Sequence, residues 1–303
     1  MHFKMFDRFR APNGARVLEQ LKSLAVAGDL EQFGSAMREW DAVKPNKMDW
    51  AKSDDMVEFA LECRDDVPDF KAVVLHRAFS AAAGAGQVEI AKFLIEQRGC
   101  VVYPTAIRDA FEHKRWAVLE LFLEKGWDIN SPVEDNNTFP ILKEVLDSEE
   151  KVIWCLEHGA DPIGRTTANN ISVADVAAQW ASLPVVKLLQ KYGADYTKTD
   201  ALHNAALGNE SNRLEVMKYL IHDVGLPIDQ LELEYLPRVY DSYAPNGLGT
   251  ALHSAVKGEC EDTLKYLLEN GADQNKADTK GRKPIDLARE YHFEAGISIL
   301  NKT

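Results

Sequence analysis

Residues 249–275, GTALHSAVKGECEDTLKYLLENGADQN, read as two short helices joined by a turn. Thr250 can cap the first, because its hydroxyl accepts a backbone N–H that has no helical partner. Leu252, Ala255 and Val256 then form a narrow apolar face of small side chains. The second helix runs from Thr263 to Glu269, with Leu264, Leu267 and Leu268 at helical spacing. Gly271 follows as a left-handed C-terminal residue, a conformation that glycine enters without steric cost. Helices this short cannot bury their own apolar faces. Such a pair needs neighbours of its own kind, so copies are expected elsewhere in the chain.

The closing glycine recurs as Gly99, Gly126, Gly159, Gly193, Gly225 and Gly271, in steps of 27, 33, 34, 32 and 46 residues. The period is therefore ~33 residues, the last step being one period plus an insertion. Gly-Ala-Asp repeats at residues 159–161, 193–195 and 271–273, and Gly126-Trp127-Asp128-Ile129-Asn130 is a variant of it. Ala201-Leu202-His203 is followed by Ala205-Ala206, and Thr250-Ala251-Leu252-His253 occupies the same phase. Looser copies are Phe139-Pro140-Ile141-Leu142, Ser172-Val173-Ala174-Asp175 with Ala177-Ala178, and Lys283-Pro284-Ile285-Asp286-Leu287-Ala288.

With these residues the chain resembles the ankyrin repeat family, whose pattern is Thr-Pro-Leu-His, then Ala-Ala, then an apolar second helix and Gly-Ala-Asp. The resemblance implies an all-α ankyrin-repeat solenoid of about seven to eight helix pairs with a C-terminal capping repeat. In this reading residues 1–14 form an arm, and 15–303 are one ankyrin-repeat domain. Its N-terminal part, 15–69, is degenerate; 70–229 are regular repeats, 230–246 an insertion, and 247–303 the last full repeat and cap. Within 15–69, residues 15–40 read as a first helix pair, and a helix capped by Ser53 does not phase onto the repeat.

A formal net charge of −13 argues against a nucleic-acid backbone or an anionic membrane as the main partner, since both call for a basic footprint. The first thirty or so residues lack the apolar core of a signal peptide, and no stretch approaches the ~18 apolar residues of a membrane span. An intracellular protein is expected, cytoplasmic with the nucleus as the alternative. Cys63, Cys100, Cys155 and Cys260 are too dispersed for paired zinc-ligand spacing, so reduced, mostly structural thiols are expected and no metal.

Gly84-Ala85-Gly86 suggests a dinucleotide turn, but a helix precedes it and no third glycine follows, so it reads as a helix-to-helix turn. Glu112, His113, Lys114 and Arg115 fall at another such turn and read as a solvated group. Lys143 and Glu144 stand where the repeat wants small apolar residues, which predicts a local irregularity. His203 and His253 match the family's repeat histidine, and the resemblance implies that they are structural. No spacing specifies a catalytic mechanism, so no catalytic residue and no cofactor is assigned.

The insertion is what the repeat does not explain. After Gln230 it alternates apolar and acidic residues, then presents Tyr235, Leu236, Arg238, Tyr240 and Tyr243 between Pro237 and Pro245. Tyrosines and an arginine on a proline-stiffened loop have the composition of a contact surface, because little entropy is lost when they engage. The plainer reading is that the tyrosines pack on adjacent repeats and seal the loop. Gln179 and Trp180 end a first helix, where the resemblance places the concave groove; Trp180 is either an exposed anchor or folds back onto Trp154 or a neighbouring helix. The leading expectation is a non-catalytic scaffold that binds a protein partner, with a basic surface, through the groove and the insertion, aided by His113 and Gln179. The alternative is an enzyme or small-molecule binder with a pocket between the groove and the insertion, built on His113, His203, His253 and the tyrosines.

Overall fold

The computed structural model describes residues 12–41, 70–133, 139–165, 171–208 and 212–302, with side chains from residue 19 in the first helix and from residue 74 in the third. Residues 1–11 of the arm expected at 1–14, and the helix expected after Ser53, lie outside the described residues. The chain divides into two compact units, Met1–Asn137 and Thr138–Thr303.

In the first unit the helices are α1 (Pro12–Ala27), α2 (Leu30–Asp41), α3 (Phe70–Ala85), α4 (Val88–Arg98), α5 (Pro104–Glu112) and α6 (Trp116–Glu124). The inner helices α1, α3 and α5 stack in one layer, and the outer helices α2, α4 and α6 stack in a second. Helix α1 packs directly on α3 although residues 42–69 separate them in sequence. The last residues allotted to the arm, 12–14, are already helical.

In the second unit the inner layer is α7 (Ile141–Glu144), α9 (Val173–Trp180), α11 (Ala201–Leu207), α14 (Ala251–Lys257) and α16 (Pro284–Glu290). The outer layer is α8 (Glu149–Glu157), α10 (Leu183–Lys191), α12 (Arg213–Lys218), α15 (Glu261–Glu269) and α17 (Glu294–Leu300). A π-helical turn, Tyr219–Asp223, prolongs α12. Helix α13 (Pro237–Tyr243) belongs to neither layer. Helix α7 is only one turn long, the irregularity foreseen at Lys143 and Glu144, which pair with each other at 2.7 Å.

Small inner residues make this stacking close. Ala82, Ala83 and Ala110 in the first unit, and Ala177, Ala178, Ala205, Ala206, Ala255 and Ala288 in the second, are fully buried. Six outer helices, or the turn that prolongs them, bury an apolar side chain at the same phase: Leu94 and Phe122, then Cys155, Leu189, Leu220 and Leu267. Burying one such aliphatic or aromatic side chain contributes ~1.5–3 kcal/mol, which offsets the instability of helices under ~12 residues. The outer helices end on the expected glycine: φ is +68° at Gly99, +106° at Gly193 and +88° at Gly271.

A second repeating contact, absent from the sequence reading, joins successive repeats. A side chain at the start of an outer helix reaches back to carbonyls at the end of the preceding inner helix, where the helix leaves them unpaired. Gln87 Nε2 donates to Val26 O at 2.9 Å and Arg115 Nε to Gly84 O at 2.9 Å. Arg213 Nη1 donates to Ala178 O at 2.7 Å and Cys260 Sγ to Gly208 O at 3.3 Å. Residues 112–115 are exposed, and Arg115 in addition spans two repeats. Gly86 makes room for it, since a Cβ there would stand 2.9 Å from Arg115 Cδ.

Candidate interaction surface

The site is built from the first turns of the inner helices. In α9 and α14 the N-cap and N3 residues pair within the helix, and the N3 side chain then reaches the next repeat. Ser172 Oγ donates to Asp175 Oδ2 at 2.7 Å, and Asp175 Oδ1 accepts Asp200 N–H at 2.7 Å. Asp175 is buried, and desolvation pulls its carboxyl upward more than these bonds lower it. His253 Nδ1 accepts Thr250 N–H at 3.0 Å, which leaves Nε2–H to donate to Arg282 O at 3.0 Å. Two neighbours thus select one neutral tautomer, and burial holds the ring below the usual histidine range. His203 Nε2–H donates in the same way to Gln230 O at 2.8 Å.

The insertion leaves the repeat just after Gln230. Its base closes where Glu232 N–H donates to Gly249 O at 2.9 Å and Gly249 N–H to Glu232 Oε2 at 3.1 Å. Asp200 holds the next segment: Oδ1 accepts Leu233 N–H at 2.8 Å, and Oδ2 accepts the Tyr235 hydroxyl at 3.4 Å. Leu233 adopts φ +62°, an uncommon left-handed conformation that this bond and the burial of its side chain maintain. Burial raises the Asp200 carboxyl to about 6, His203 and the Leu233 N–H oppose the rise, and Asp175 and Glu232 add to it. Arg165 Nη1 donates to the Tyr235 hydroxyl at 3.2 Å, its guanidinium lies 5.3 Å from that ring's centre, and Nη2 bonds Lys198 O. On the far side Thr279 Oγ1 donates to Ala244 O at 2.5 Å and accepts Leu248 N–H at 2.8 Å.

Tyr235 therefore turns inward as an anchor, with its hydroxyl pushed upward by burial first and by Asp200 and Asp175 next. Beyond it, α13 buries none of its residues. Arg238 is exposed, and Leu236, Tyr240 and Tyr243 are half-buried. Trp180 is 57% exposed at the last residue of α9, and Trp154 is buried and stacked on His158 at 4.0 Å, so the two tryptophans do not pack into one core. Gln179 precedes it, half-buried. The insertion is tied to the N-terminal ends of the inner helices and Trp180 ends one of them, a separation of ~10 Å along α9. His113 belongs to the first unit, exposed at the end of α5 with Nδ1 2.9 Å from Asp109 O.

The anchors Asp200, Glu232, Arg165 and Thr279 escaped the sequence reading. Asp200 carried a signal, since it precedes Ala-Leu-His as Thr250 does; Arg165 and Thr279 carried none. Ser172 is buried against Asp175, and His203 Nδ1 stands 3.8 Å from Asp200 Oδ1, beyond hydrogen-bond length. Among the described residues no group of histidine, cysteine, aspartate and glutamate could hold a metal ion. An open cleft of about 590 Å³ includes Asp229, Gln230, Glu234 and Lys276, and its two carboxylates already accept backbone N–H groups.

The two-layered helix pairs with cross-bonded first turns define a helical-repeat solenoid, a class that recognises other molecules along its stacked surface. The family model for ankyrin repeats matches residues 177–278 and 202–302, in three copies, so this part of the chain carries ankyrin repeats. It is similar to the potassium channel AKT1 of Arabidopsis thaliana, 34% identical over 104 residues, which is 34% of this chain and 10% of the channel. It is similar to alpha-latrocrustotoxin-Lt1a of Latrodectus tredecimguttatus, 20% identical over 231 residues, 69% of this chain and 13% of the toxin. The homolog of transient receptor potential cation channel subfamily A member 1 in Caenorhabditis elegans is 29% identical over 118 residues, 37% of this chain and 8% of that protein. The chain spans about a tenth of the length of these curated relatives. Ankyrin repeats are in general protein–protein interaction modules.

Proposed function

We propose that this chain is a non-catalytic scaffold that holds a protein partner against the insertion, residues 230–246, and the adjoining face of the second unit's inner helices. The observation that carries the reading is α13. A seven-residue helix with no fully buried residue has little core of its own, and the segments that flank it are held by Asp200, Arg165 and Thr279. Fixing an exposed element beforehand lowers the entropy lost on binding. Arg238, Tyr240 and Tyr243 are the contact residues, Tyr235 positions them, and Trp180 with Gln179 forms a second contact point farther along the groove. The net charge of −13 suits a partner with a basic surface. The setting is intracellular, which the buried thiols of Cys100, Cys155 and Cys260 support.

The test is affinity purification from native lysate with the wild-type chain and with an Arg238→Glu/Tyr240→Ala variant, which leaves the Tyr235 anchor intact. A stoichiometric protein retained by the wild type and lost by the folded variant is expected. A protein retained equally by both would remove the insertion from the interface. Capture of no protein by either, together with a small molecule that co-purifies and is released by denaturation, would replace the scaffold with a ligand-binding role.

A further inference from the structure

Lysines in this acidic chain are commonly neutralised. Among the described residues Lys22, Lys125, Lys143, Lys198, Lys257 and Lys265 lie 2.7 to 3.5 Å from carboxylate oxygens. On the outer helices of the second unit three exposed lysines behave differently. Lys187 Nζ lies 5.0 Å from the centre of the Tyr219 ring, Lys191 Nζ 5.6 Å from that of Tyr192, and Lys218 Nζ 5.8 Å from that of Tyr266. Two of these contacts step between helices: Lys187 of α10 sits on the ring that follows α12, and Lys218 of α12 sits on a ring of α15. The rings are held by their hydroxyls. Tyr219 bonds Gln190, Tyr266 lies 2.7 Å from His222 Nε2, and Tyr192 donates to Glu157 at 3.5 Å.

A tyrosine face attracts an ammonium by only ~0.5–1 kcal/mol at an exposed site and accepts no strong hydrogen bond from it. Each lysine therefore keeps its outward N–H donors available, in a position that the ring restricts. We infer that this strip is a docking surface for an acidic protein segment, whose carboxylates pair with Lys187, Lys191 and Lys218. The spacing suits a peptide. Lys187 and Lys191 are one helical turn apart, ~6 Å, and same-face side chains of an extended chain recur every ~7 Å. The neighbouring outer helix is a further ~10 Å away. A flexible segment can place its carboxylates on the lysines and avoid exposed Glu157, Glu215 and Asp223. A flat anionic bilayer would press against those carboxylates as well.

The full chain is titrated into a fluorescein-labelled alternating glutamate–alanine peptide, about twelve residues long so that it spans the strip, with anisotropy as the readout. Two charge-matched variants are compared: Lys187→Glu/Lys191→Glu/Lys218→Glu in the strip, and Lys198→Glu/Lys280→Glu/Lys302→Glu away from it. Circular dichroism melts establish that both fold. Saturable wild-type binding is expected, with Kd raised at least about tenfold in the strip variant and less than about threefold in the control. Equal weakening in both variants would mean that net charge alone governs binding and would overturn the assignment. So would the absence of wild-type binding at about 50 mM salt, where surface charges are least screened. Vesicles of phosphatidylserine that bind the wild type and not the strip variant would make the strip a membrane contact instead.

Discussion

Arg213 and Ala178 are joined by a hydrogen bond of 2.7 Å between the guanidinium of one repeat and the last-turn carbonyl of the one before it. The arginine is 1% exposed, and three more of its N–H groups reach Asn212, Ala177 and Ala181. A buried cation is tolerable here because carbonyls at a helix C-terminus carry partial negative charge. The same tie recurs with weaker chemistry at Gln87, Arg115 and Cys260.

Replacing Arg213 should therefore be among the most destabilising single changes in the second unit. Arg213→Met keeps much of the stem but strands the carbonyls at the end of α9, at a cost of about 2–4 kcal/mol. Gly208→Ala should cost about 1–3 kcal/mol, because its Cβ would stand 2.8 Å from Arg213 Cδ and 3.1 Å from Gln179 O. Urea denaturation of both variants tests this, and losses under about 0.5 kcal/mol would show that the tie contributes little.

His253 makes the second unit sensitive to acid. Its folded-state pKa is depressed, by burial first, so the unfolded chain takes up the proton more readily. Its contribution is complete above the ordinary value of 6.5 and is lost as pH falls through the folded value. Protonation would also oppose a new N–H at Nδ1 to the Thr250 N–H. The stability advantage of wild type over His253→Gln should shrink between pH 7.5 and pH 5, and a constant difference would refute the tautomer assigned here.

Asp200 works in the opposite direction. Its carboxyl is raised by burial to about 6 from 3.8, so the folded state holds the proton better than the unfolded state. Its contribution is greatest at low pH and is lost as pH rises through about 6. Asp200→Asn keeps an acceptor for Leu233 N–H and cannot ionise. It should gain on wild type by about 1–1.5 kcal/mol between pH 5 and pH 8. Thermal melts across that range would count against the burial argument if the gain had the reverse sign.

Thiol chemistry offers an independent check on the core. Burial raises Cys155 far above the ordinary thiol range and Cys100 to about 11. Both should resist iodoacetamide at pH 8 in the native protein and react fully in denaturant. Peptide mass spectrometry that found Cys155 alkylated without denaturant would mean that α8 does not pack as described.

Much of the fold was legible in local pattern. The apolar stripe of residues 263–269, the alanine pairs and the closing glycines each reflect a constraint within one helix or turn, so spacing alone revealed them. The break at residues 143–144 was legible for the same reason. Trp180 could be placed at a helix end but not assigned an exposure, because that depends on what neighbouring helices leave uncovered. Tyr235 and Tyr240 looked equivalent in sequence. They differ because Arg165 and Asp200 lie within reach of one hydroxyl.

By itself the sequence determined a period, a helix pair for each repeat and the place where an insertion interrupts the period. These follow from residues within one turn of one another, where periodicity and capping preferences act. Only the tertiary structure decided that Arg213 belongs to Ala178, that Asp200 holds the base of the insertion and that three lysines rest on tyrosine rings. Those partners lie in different segments of the chain, and their distances depend on how successive helix pairs stack, which no local spacing encodes.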